Sequence, residues 1–287
     1  LPNVTVFPAE VEEKHKGVLG LYKLSKELKK LKIDAVADLH NVLRSNVLKT
    51  FLIGKKIIQI DKGRSEKKAL VSGEKFQRLK TTHQRYADVF EVLGFPVDLS
   101  NPIFPKKSSL SKKLQTLLDL DSKRIIGIAP FAAHEGKMYL VELIKKVIES
   151  LSKDYKIILF GGGKKEIETL NDLEGNFDNV VNIAGKLSLD VELDVISNLD
   201  VMLSMDSGNA HLAAMLGVKV ITVWGVTHPY AGFTPFNQPE DYALLADRNK
   251  FPLIPTSIYG NKYPEAYKEV SRSISPEKVV NKIKSVI

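Results

Sequence analysis

The chain has 287 residues and none of them is cysteine. Disulfides, thiolate metal ligands and cysteine nucleophiles are therefore excluded. No apolar run reaches the roughly 18 to 20 residues of a membrane-spanning helix. The start of the chain, Leu1 to Val4, resembles neither a basic leader nor the apolar core of a signal peptide. With 44% hydrophobic residues the chain can build one large or two ordinary domains, and we expect a globular, cytoplasmic protein.

Several motifs of nucleotide and metal chemistry are also incomplete. The run Gly161-Gly162-Gly163 lacks the first glycine of a P-loop, and Lys165 stands where Ser or Thr would bind magnesium. Neither a dinucleotide-binding glycine fingerprint nor a Gly-x-Ser-x-Gly elbow occurs. The six histidines are scattered, and the acidic pair of Asp119 and Asp121 lies at the end of a linker. We therefore expect no metal site and no bound cofactor.

Charge is distributed unevenly along the chain. Residues 1–118 carry 23 Lys and Arg against 12 Asp and Glu, a net charge of +11, whereas residues 119–287 carry 19 against 22, a net charge of −3. The basic half is expected to face a nucleic acid, an acidic membrane surface or a phosphorylated substrate. The alternative is a set of solvated lysine-rich helices, such as residues 21–31, where leucines at helical spacing leave the lysines in water. No nucleic-acid-binding motif accompanies the charge.

The second half alternates between apolar strands and helical segments. We predict strands over 125–129, 155–160, 180–183, 201–205 and 220–224, and helices over 138–152, 164–174, 188–199 and 209–216. Such alternation indicates a parallel sheet covered by helices on both faces. The turns at 130–137, 161–166, 185–188 and 206–209 follow strands, so they should share one rim, where such sheets bind ligands.

The first half has the same pattern in a shorter form. We predict strands over 33–39 and 56–60, helices over 41–51 and 79–93, and a further strand within 1–7. Residues 99–109 have the prolines, serines and charges of a linker. The domain boundary is therefore expected near 100–122, with domains over 1–118 and 119–287.

The turn after residues 201–205 has the features of an anion site. Free amides at the start of the next helix would point at a ligand lying across Ser207, Gly208 and Asn209. Asp206 is placed to accept from hydroxyls, and His211 is placed to donate one turn into the helix. The alternative is structural, since Asp and Ser are common helix caps and a histidine on a small apolar helix is often a core residue.

Four stretches, taken in order, closely resemble glycosyltransferase family 9, the bacterial heptosyltransferases of lipopolysaccharide core assembly and their relatives. They are Ala129-Pro130-Phe131-Ala132-Ala133 with Gly136-Lys137-Met138-Tyr139, Phe160-Gly161-Gly162 with Glu166, Asp206-Ser207-Gly208-Asn209-Ala210-His211-Leu212-Ala213-Ala214, and Trp224-Gly225-Val226-Thr227-His228-Pro229. Asp38-Leu39-His40 with Arg44-Ser45 resembles a further family element.

The resemblance implies an α/β fold of the GT-B type, with two Rossmann-like domains facing across a cleft. The second domain would hold the nucleotide-diphosphate sugar, and the first would hold the acceptor. The final helix, which opens at Ser275 and Pro276, would pack back toward the first domain.

The resemblance also implies roles for individual residues. Lys137 would stabilise the departing diphosphate, and Glu166 would bind the nucleoside. Asp206, Ser207, Gly208 and His211 match the signature that holds the diphosphate and the sugar, and Asn209 lies in the same turn. Family members usually invert the anomeric centre without a metal.

The general base is not assigned by the resemblance. In the family it is an aspartate beside a glycine just after the first strand, and this chain has no such Gly-Asp element. We expect a segment of about 50 residues to precede Leu1 and to carry the base. Asp38 is a candidate by default, although a helix-capping role explains it as well. Residues 252–262 lie where many relatives carry cysteines, and none is present here.

The sequence thus predicts a cytoplasmic glycosyltransferase that contacts the inner membrane surface peripherally. It would move a heptose or a similar sugar from a nucleotide-diphosphate donor, with an ADP-sugar favoured, to an anionic glycolipid of the lipopolysaccharide core type. Three alternatives stay open: a GT-B transferase with another donor and surface glycan, a nucleotide-sugar-binding protein without turnover, and a basic nucleic-acid binder.

Overall fold

The computed structural model describes residues 3–120 and 123–287. They form two compact units. The first unit contains the chain up to Arg64 together with Thr82–Asn101, and the second contains Ser65–Thr81 together with Pro102–Ile287. Both units are built from helices and parallel strands.

The first unit is a small α/β unit around two parallel strands. Its elements are α1 (Gly17–Lys30), β1 (Ala35–Asp38), α2 (Leu43–Thr50), β2 (Lys56–Gln59) and, after α3 (Arg64–Val71) has led into the second unit, α4 (Thr82–Leu93). Ala35 pairs with Lys56 in the parallel ladder. In α1, Leu21 and Leu24 are buried and the lysines face solvent, as the leucine spacing predicts.

The strand predicted within residues 1–7 is wrong for the part that the structure describes. Residues 4–10 have no regular secondary structure, and Leu1 and Pro2 lie outside the described residues. Val6 is 85% exposed and Val4 is 58% exposed. An apolar pattern alone does not make a strand, because the backbone groups of a strand need a neighbour in the ladder.

The second unit contains most of the regular structure. Its elements are α5 (Lys112–Leu117), β3 (Ile125–Ala129), α6 (Val141–Leu151), β4 (Lys156–Leu159), α7 (Lys164–Glu174), β5 (Val180–Asn182), α8 (Leu189–Ser197), β6 (Val201–Met205), α9 (Gly208–Met215), β7 (Lys219–Trp224), β8 (Ala243–Leu245) and α10 (Pro276–Val286). Short 3-10 turns occur at Glu135–Lys137, Pro229–Ala231, Glu240–Tyr242, Glu265–Tyr267 and Val270–Ser273.

The sheet of the second unit has the strand order β5-β4-β3-β6-β7-β8, and every pair in it is parallel. One face packs against α6 and α10, and the other packs against α5, α8 and α9. This is the predicted arrangement, and it follows from strands that are apolar on both faces. The strand order reverses between β3 and β6, which places the topological switch point between these two strands.

Two segments pack differently from the predicted domains. Residues 65–81 and 102–118 cluster with the second unit, not the first. Leu70 and Leu79 are buried and pack in one cluster with Ala231. Leu114 and Leu118 fill the core under α8 and α9. The burial of these leucines holds the two segments on the second unit. The linker-like composition of the sequence does not reveal this burial.

The last helix packs on the second unit. Val279, Val280 and Ile283 of α10 belong to the same core as α6. Its packing toward the first domain, which the resemblance implies, stays a prediction. Its start is as predicted, since Ser275 Oγ accepts a hydrogen bond from the Lys278 amide and Pro276 occupies the first turn. Among the helices within 3–120 and 123–287, none is long and apolar enough to cross a membrane.

Candidate functional site

The candidate site lies where β3 and β6 end side by side. The loop after β3 leads to the 3-10 turn that carries Lys137, and the turn after β6 begins with Asp206. Lys137 Nζ lies 2.8 Å from Asp206 Oδ2 and also donates to the Asp206 carbonyl oxygen at 3.2 Å. Both side chains are largely buried, with 15% and 5% exposed. The ion pair therefore lies at the switch point, where open α/β sheets bind ligands.

Hydrogen bonds from Tyr139 fix the chain just after Lys137. The Tyr139 amide donates to Met205 Sδ at 3.1 Å, which ties the loop after β3 to the end of β6. The Tyr139 hydroxyl donates to the Ile274 carbonyl at 2.6 Å. Burial and the charge of Glu277 raise the pKa of this phenol, so it remains a hydrogen-bond donor at neutral pH.

Asp206 is also held by Thr227, which follows β7. Thr227 follows that strand and its Oγ1 donates to Asp206 Oδ2 at 3.1 Å, with both residues buried. The carboxylate thus receives a cation from the β3 side and a hydroxyl from the β7 side. Such a network fixes the carboxylate in one orientation before any ligand arrives.

His211 lies one turn into α9, within the electrostatic field of this pair. Burial lowers its pKa, Asp206 raises it and Lys137 lowers it further, and the net shift is downward from 6.5. The imidazole is therefore mainly neutral at pH 7 and can donate a hydrogen bond from one ring nitrogen.

A pocket of about 250 Å³ opens beside the ion pair. It is lined by residues that follow β3, β4 and β6, namely Phe131, Ala132, Ala133, Phe160, Gly161, Gly162, Glu166, Ser207, Gly208, Asn209 and Leu212. Glu166 Oε2 accepts from the Gly162 amide at 2.8 Å, which draws its carboxylate over the glycine turn. Aromatic walls, a carboxylate and backbone amides make a pocket that could take a nucleoside.

The rim of this pocket includes the start of α9. Ser207 is the N-cap residue, and its Oγ pairs with Ser204 Oγ at 3.0 Å. Ser207, Gly208 and Asn209 line the same pocket as Glu166, and the positive end of the helix dipole favours an anion at the start of α9. The structure brings together the seven predicted donor-binding residues, namely Lys137, Glu166, Asp206, Ser207, Gly208, Asn209 and His211, at neighbouring strand ends.

Asp38 belongs to the first unit, and both of its carboxylate oxygens are engaged. Oδ1 accepts from the amides of His40 and Asn41, and Oδ2 accepts from Ser45 Oγ at 3.0 Å and Lys49 Nζ at 2.7 Å. Burial raises the pKa of Asp38, but these four donors outweigh burial and lower it to about 2. Such a carboxylate is a weak proton acceptor at neutral pH, and its contacts hold the turn that leads to Val42, the N-cap of α2.

Asp119, the first residue of the acidic pair at the end of the linker, forms an ion pair with a lysine. Asp119 accepts from Lys156 Nζ at 2.7 Å, and Lys156 is buried in the core. Asp121 lies outside the described residues. Asp119 therefore serves to neutralise a buried lysine.

Two residues at the site carry roles that the sequence does not reveal. The Thr227 hydroxyl reaches Asp206 only because β6 and β7 are neighbours in the sheet. Gly260 packs on the Lys137 stem from a distant loop. Thr227 stands in a stretch that resembles the family, which is a signal that could have found it, whereas nothing local marks Gly260.

Taken together, the parallel sheet, its topological switch point and the pocket at the α9 N-terminus define an α/β unit of the GT-B class. Solved structures support this fold. The E. coli ADP-heptose lipopolysaccharide heptosyltransferase II matches with a TM-score of 0.66 and 18% identity, covering 99% of this chain and 84% of that one. A family 9 glycosyl transferase of Veillonella parvula matches with a TM-score of 0.73 and 17% identity, covering 99% and 83%.

The family is shown by sequence as well. The model of glycosyltransferase family 9 (heptosyltransferase) matches residues 21–263, and the chain belongs to this family. It is therefore a glycosyltransferase by descent, as the resemblance predicts. Among its curated relatives, the lipopolysaccharide core heptosyltransferase OpsX of Haemophilus influenzae is 25% identical over 256 residues, which cover 87% of this chain and 72% of the relative.

Proposed function

We propose that this chain transfers a heptose or a closely similar sugar from an ADP-linked donor to an acceptor of the lipopolysaccharide core type. The observation that carries the proposal is the Lys137–Asp206 ion pair at the switch point, beside the pocket that Glu166 lines. Membership of the family supports it, as do the relatives, which include a lipopolysaccharide core heptosyltransferase and an ADP-heptose heptosyltransferase.

In the proposed complex the diphosphate lies across the first amides of α9, and Lys137 turns from Asp206 toward it. The ammonium then offsets the negative charge that grows on the leaving diphosphate. Glu166 accepts from ribose hydroxyls, and the neutral His211 donates to a donor oxygen. Asp206, held by Thr227, accepts from a hydroxyl of the sugar.

The transfer is proposed to be a direct displacement that inverts the anomeric centre without a metal. The acceptor oxygen forms its bond to the anomeric carbon while the bond from that carbon to the phosphate oxygen breaks, and ADP leaves. The acceptor proton passes to a carboxylate base. Asp38 is poorly suited to be that base, because both of its carboxylate oxygens are engaged.

The first unit is proposed to hold the acceptor. Its residues 1–64 and 82–101 carry 14 Lys and Arg against 10 Asp and Glu, a net charge of +4, and this charge would attract a phosphorylated glycolipid. A cavity of about 500 Å³ within the unit opens at the end of β1, beside His40, Lys49 and Tyr86. We place the enzyme in the cytoplasm, in peripheral contact with the inner membrane surface where such acceptors are anchored.

Calorimetric titration of ADP, UDP, GDP and CMP into the chain tests the donor half of the proposal. We expect ADP to bind at least about tenfold more tightly than the others. Lys137→Ala and Asp206→Ala should weaken ADP binding by at least about tenfold, because each removes one side of the switch-point pair. Lys145→Ala, an exposed lysine on α6, is the matched control and should bind like the parent.

The outcomes separate the possible readings. Preference for UDP, GDP or CMP would assign a different donor within the same fold. Selective ADP binding without release of ADP from ADP-heptose in the presence of a lipopolysaccharide core acceptor would favour a binding protein without turnover. If both Lys137→Ala and Asp206→Ala bind nucleotide like the parent, the proposed donor site is contradicted.

A further inference from the structure

The stem of Lys137 packs against a loop from a distant part of the second unit. We call residues 254–263 the buttress loop. A Cβ built on Gly260 would lie 2.6 Å from Lys137 Cγ and 3.4 Å from its Cδ and Cε. Gly260 is buried and has a φ of 73°. Its bare backbone therefore lies directly on the methylene stem, where any larger residue would compete for the same space.

The buttress loop also holds the backbone of the turn that carries Lys137. A Cβ on Gly136 would lie 2.6 Å from the Gly260 carbonyl oxygen and 2.8 Å from Tyr263 Cδ1. A Cβ on Gly225 would lie 2.3 Å from the Gly136 carbonyl oxygen. The Val226 amide donates to that same oxygen at 2.8 Å. The turn thus contacts both the segment after β7 and the buttress loop.

Hydrogen bonds fix the buttress loop itself. The Thr256 amide donates to the Val226 carbonyl at 3.0 Å, and Thr256 Oγ1 donates to the Lys262 carbonyl at 2.7 Å. At its start, Arg248 Nε donates to the Ile254 carbonyl at 2.8 Å. A loop tied at both ends can act as a fixed wall for the lysine stem.

A lysine stem ordinarily samples many rotamers, and ordering it costs conformational entropy. Gly260 contacts Cγ, near the base of the stem, so a displacement there would carry the ammonium away from Asp206. We propose that Gly260 is a positioning residue that fixes the Lys137 ammonium beside Asp206 and the diphosphate-binding start of α9. The role toward the diphosphate rests on the proposed function; the packing of the stem does not.

The test compares Gly260→Ala with a glycine of the same backbone conformation. Gly73 has a φ of 76°, and in the described structure a Cβ there would meet open space, so Gly73→Ala carries the same backbone strain without a clash. We expect Gly260→Ala to weaken ADP binding by about tenfold and Gly73→Ala to change it by less than about twofold. The readout is calorimetry on the whole chain.

A thermal-melting cycle isolates the contact with Lys137. We expect Gly260→Ala to lower Tm more than Gly73→Ala does, because it adds the clash to the strain. In a Lys137→Ala background Cγ is absent, so this excess loss of Tm should disappear. A purely structural role of Gly260 would give the same excess in both backgrounds.

Equal Tm losses in the two backgrounds, or parent-like ADP affinity of Gly260→Ala, would overturn the positioning role. If the parent chain binds none of the nucleotides, the proposed function fails and the role toward the diphosphate fails with it. The melting cycle still reports in that case whether Gly260 fixes the Lys137 stem, so the two failures can be told apart.

Discussion

Lys137 Nζ and Asp206 Oδ2 lie 2.8 Å apart, although 69 positions separate the two residues in the chain. The ends of β3 and β6 bring them together, because these strands are neighbours on the two sides of the switch point. In the proposed reaction this pair has to exchange, with Lys137 moving to the diphosphate and Asp206 to a sugar hydroxyl. Contacts that hold either partner should therefore affect binding and not only stability.

Thr227→Val removes the hydroxyl that donates to Asp206 while keeping the side-chain shape. The bond is buried and its acceptor is charged, so we expect a loss of about 1.5 to 3 kcal/mol in the free energy of unfolding. ADP affinity should fall severalfold as well, since Asp206 would hold Lys137 in a less defined position. Urea unfolding and calorimetry measure the two effects. Thr169→Val, which removes an exposed hydroxyl bonded within α7, is the control, and equal losses in both variants would contradict a special role of Thr227.

Glu166→Gln tests recognition of the ribose. The amide can still accept from Gly162 but lacks the charge that strengthens bonds from ribose hydroxyls. We expect the parent to bind ADP about tenfold more tightly than 2′-deoxy-ADP, and the variant to lose most of that preference. Glu168→Gln changes an exposed carboxylate on the same helix and should keep the preference. An unchanged ratio in Glu166→Gln would remove Glu166 from the nucleoside site.

Asp38→Asn should lower stability at neutral pH more than in acid. The folded pKa of about 2 lies below the ordinary aspartate value of 3.8, so the stabilisation is complete above pH 4 and is lost as the pH falls toward 2. We expect the variant to lose about 2 kcal/mol at pH 7, with a smaller difference from the parent at pH 3. Denaturant unfolding at both pH values is the measurement, with Asp34→Asn at an exposed position as the control. A stability difference that does not depend on pH would show that charge is not the cause.

His228→Asn should flatten the pH dependence of stability below neutrality. Burial lowers the pKa of His228 to about 4, with further lowering by Arg248 and Arg78, so the folded state keeps the ring neutral where the unfolded chain binds a proton. The contribution of the neutral His228 ring to the free energy of unfolding is complete above pH 6.5 and falls by about 2 kcal/mol by pH 5. Asn can still accept from the Tyr230 amide, as His228 Nδ1 does at 3.2 Å. Identical slopes for variant and parent between pH 7.5 and 5 would show that His228 is not the titrating group.

Local patterns in the sequence were enough to predict much of the second unit. The predicted bounds of β3, α7 and β6 coincide with those of the structure, because apolar runs of this length and the glycine turn before α7 are local signals. The three residues of β8 were not predicted, since this strand exists through pairing with β7. The lysine-rich α5 was hidden within the linker prediction for the same reason, as its stability comes from burying Leu114.

The sequence also predicts the candidate site only in part. The resemblance to the family named the residues of the candidate site, and the alternation of strands and helices placed their turns on one rim. Neither could show that Lys137 is paired with Asp206 or that Thr227 and Gly260 secure that pair, because these contacts join segments that meet only after folding. Asp38 illustrates the reverse case, since four donors that surround it in the structure leave little of its basicity.

The assignment of residues 65–81 to the second unit means that the backbone passes between the units three times, after residues 64, 81 and 101. No single cut therefore separates the two halves of the enzyme. A fragment that begins at residue 102 would lack Leu70 and Leu79, and the surface around Ala231 that they cover would be open to water. The second unit is thus discontinuous in the gene, and an exchange of this unit between relatives would have to move the two segments together.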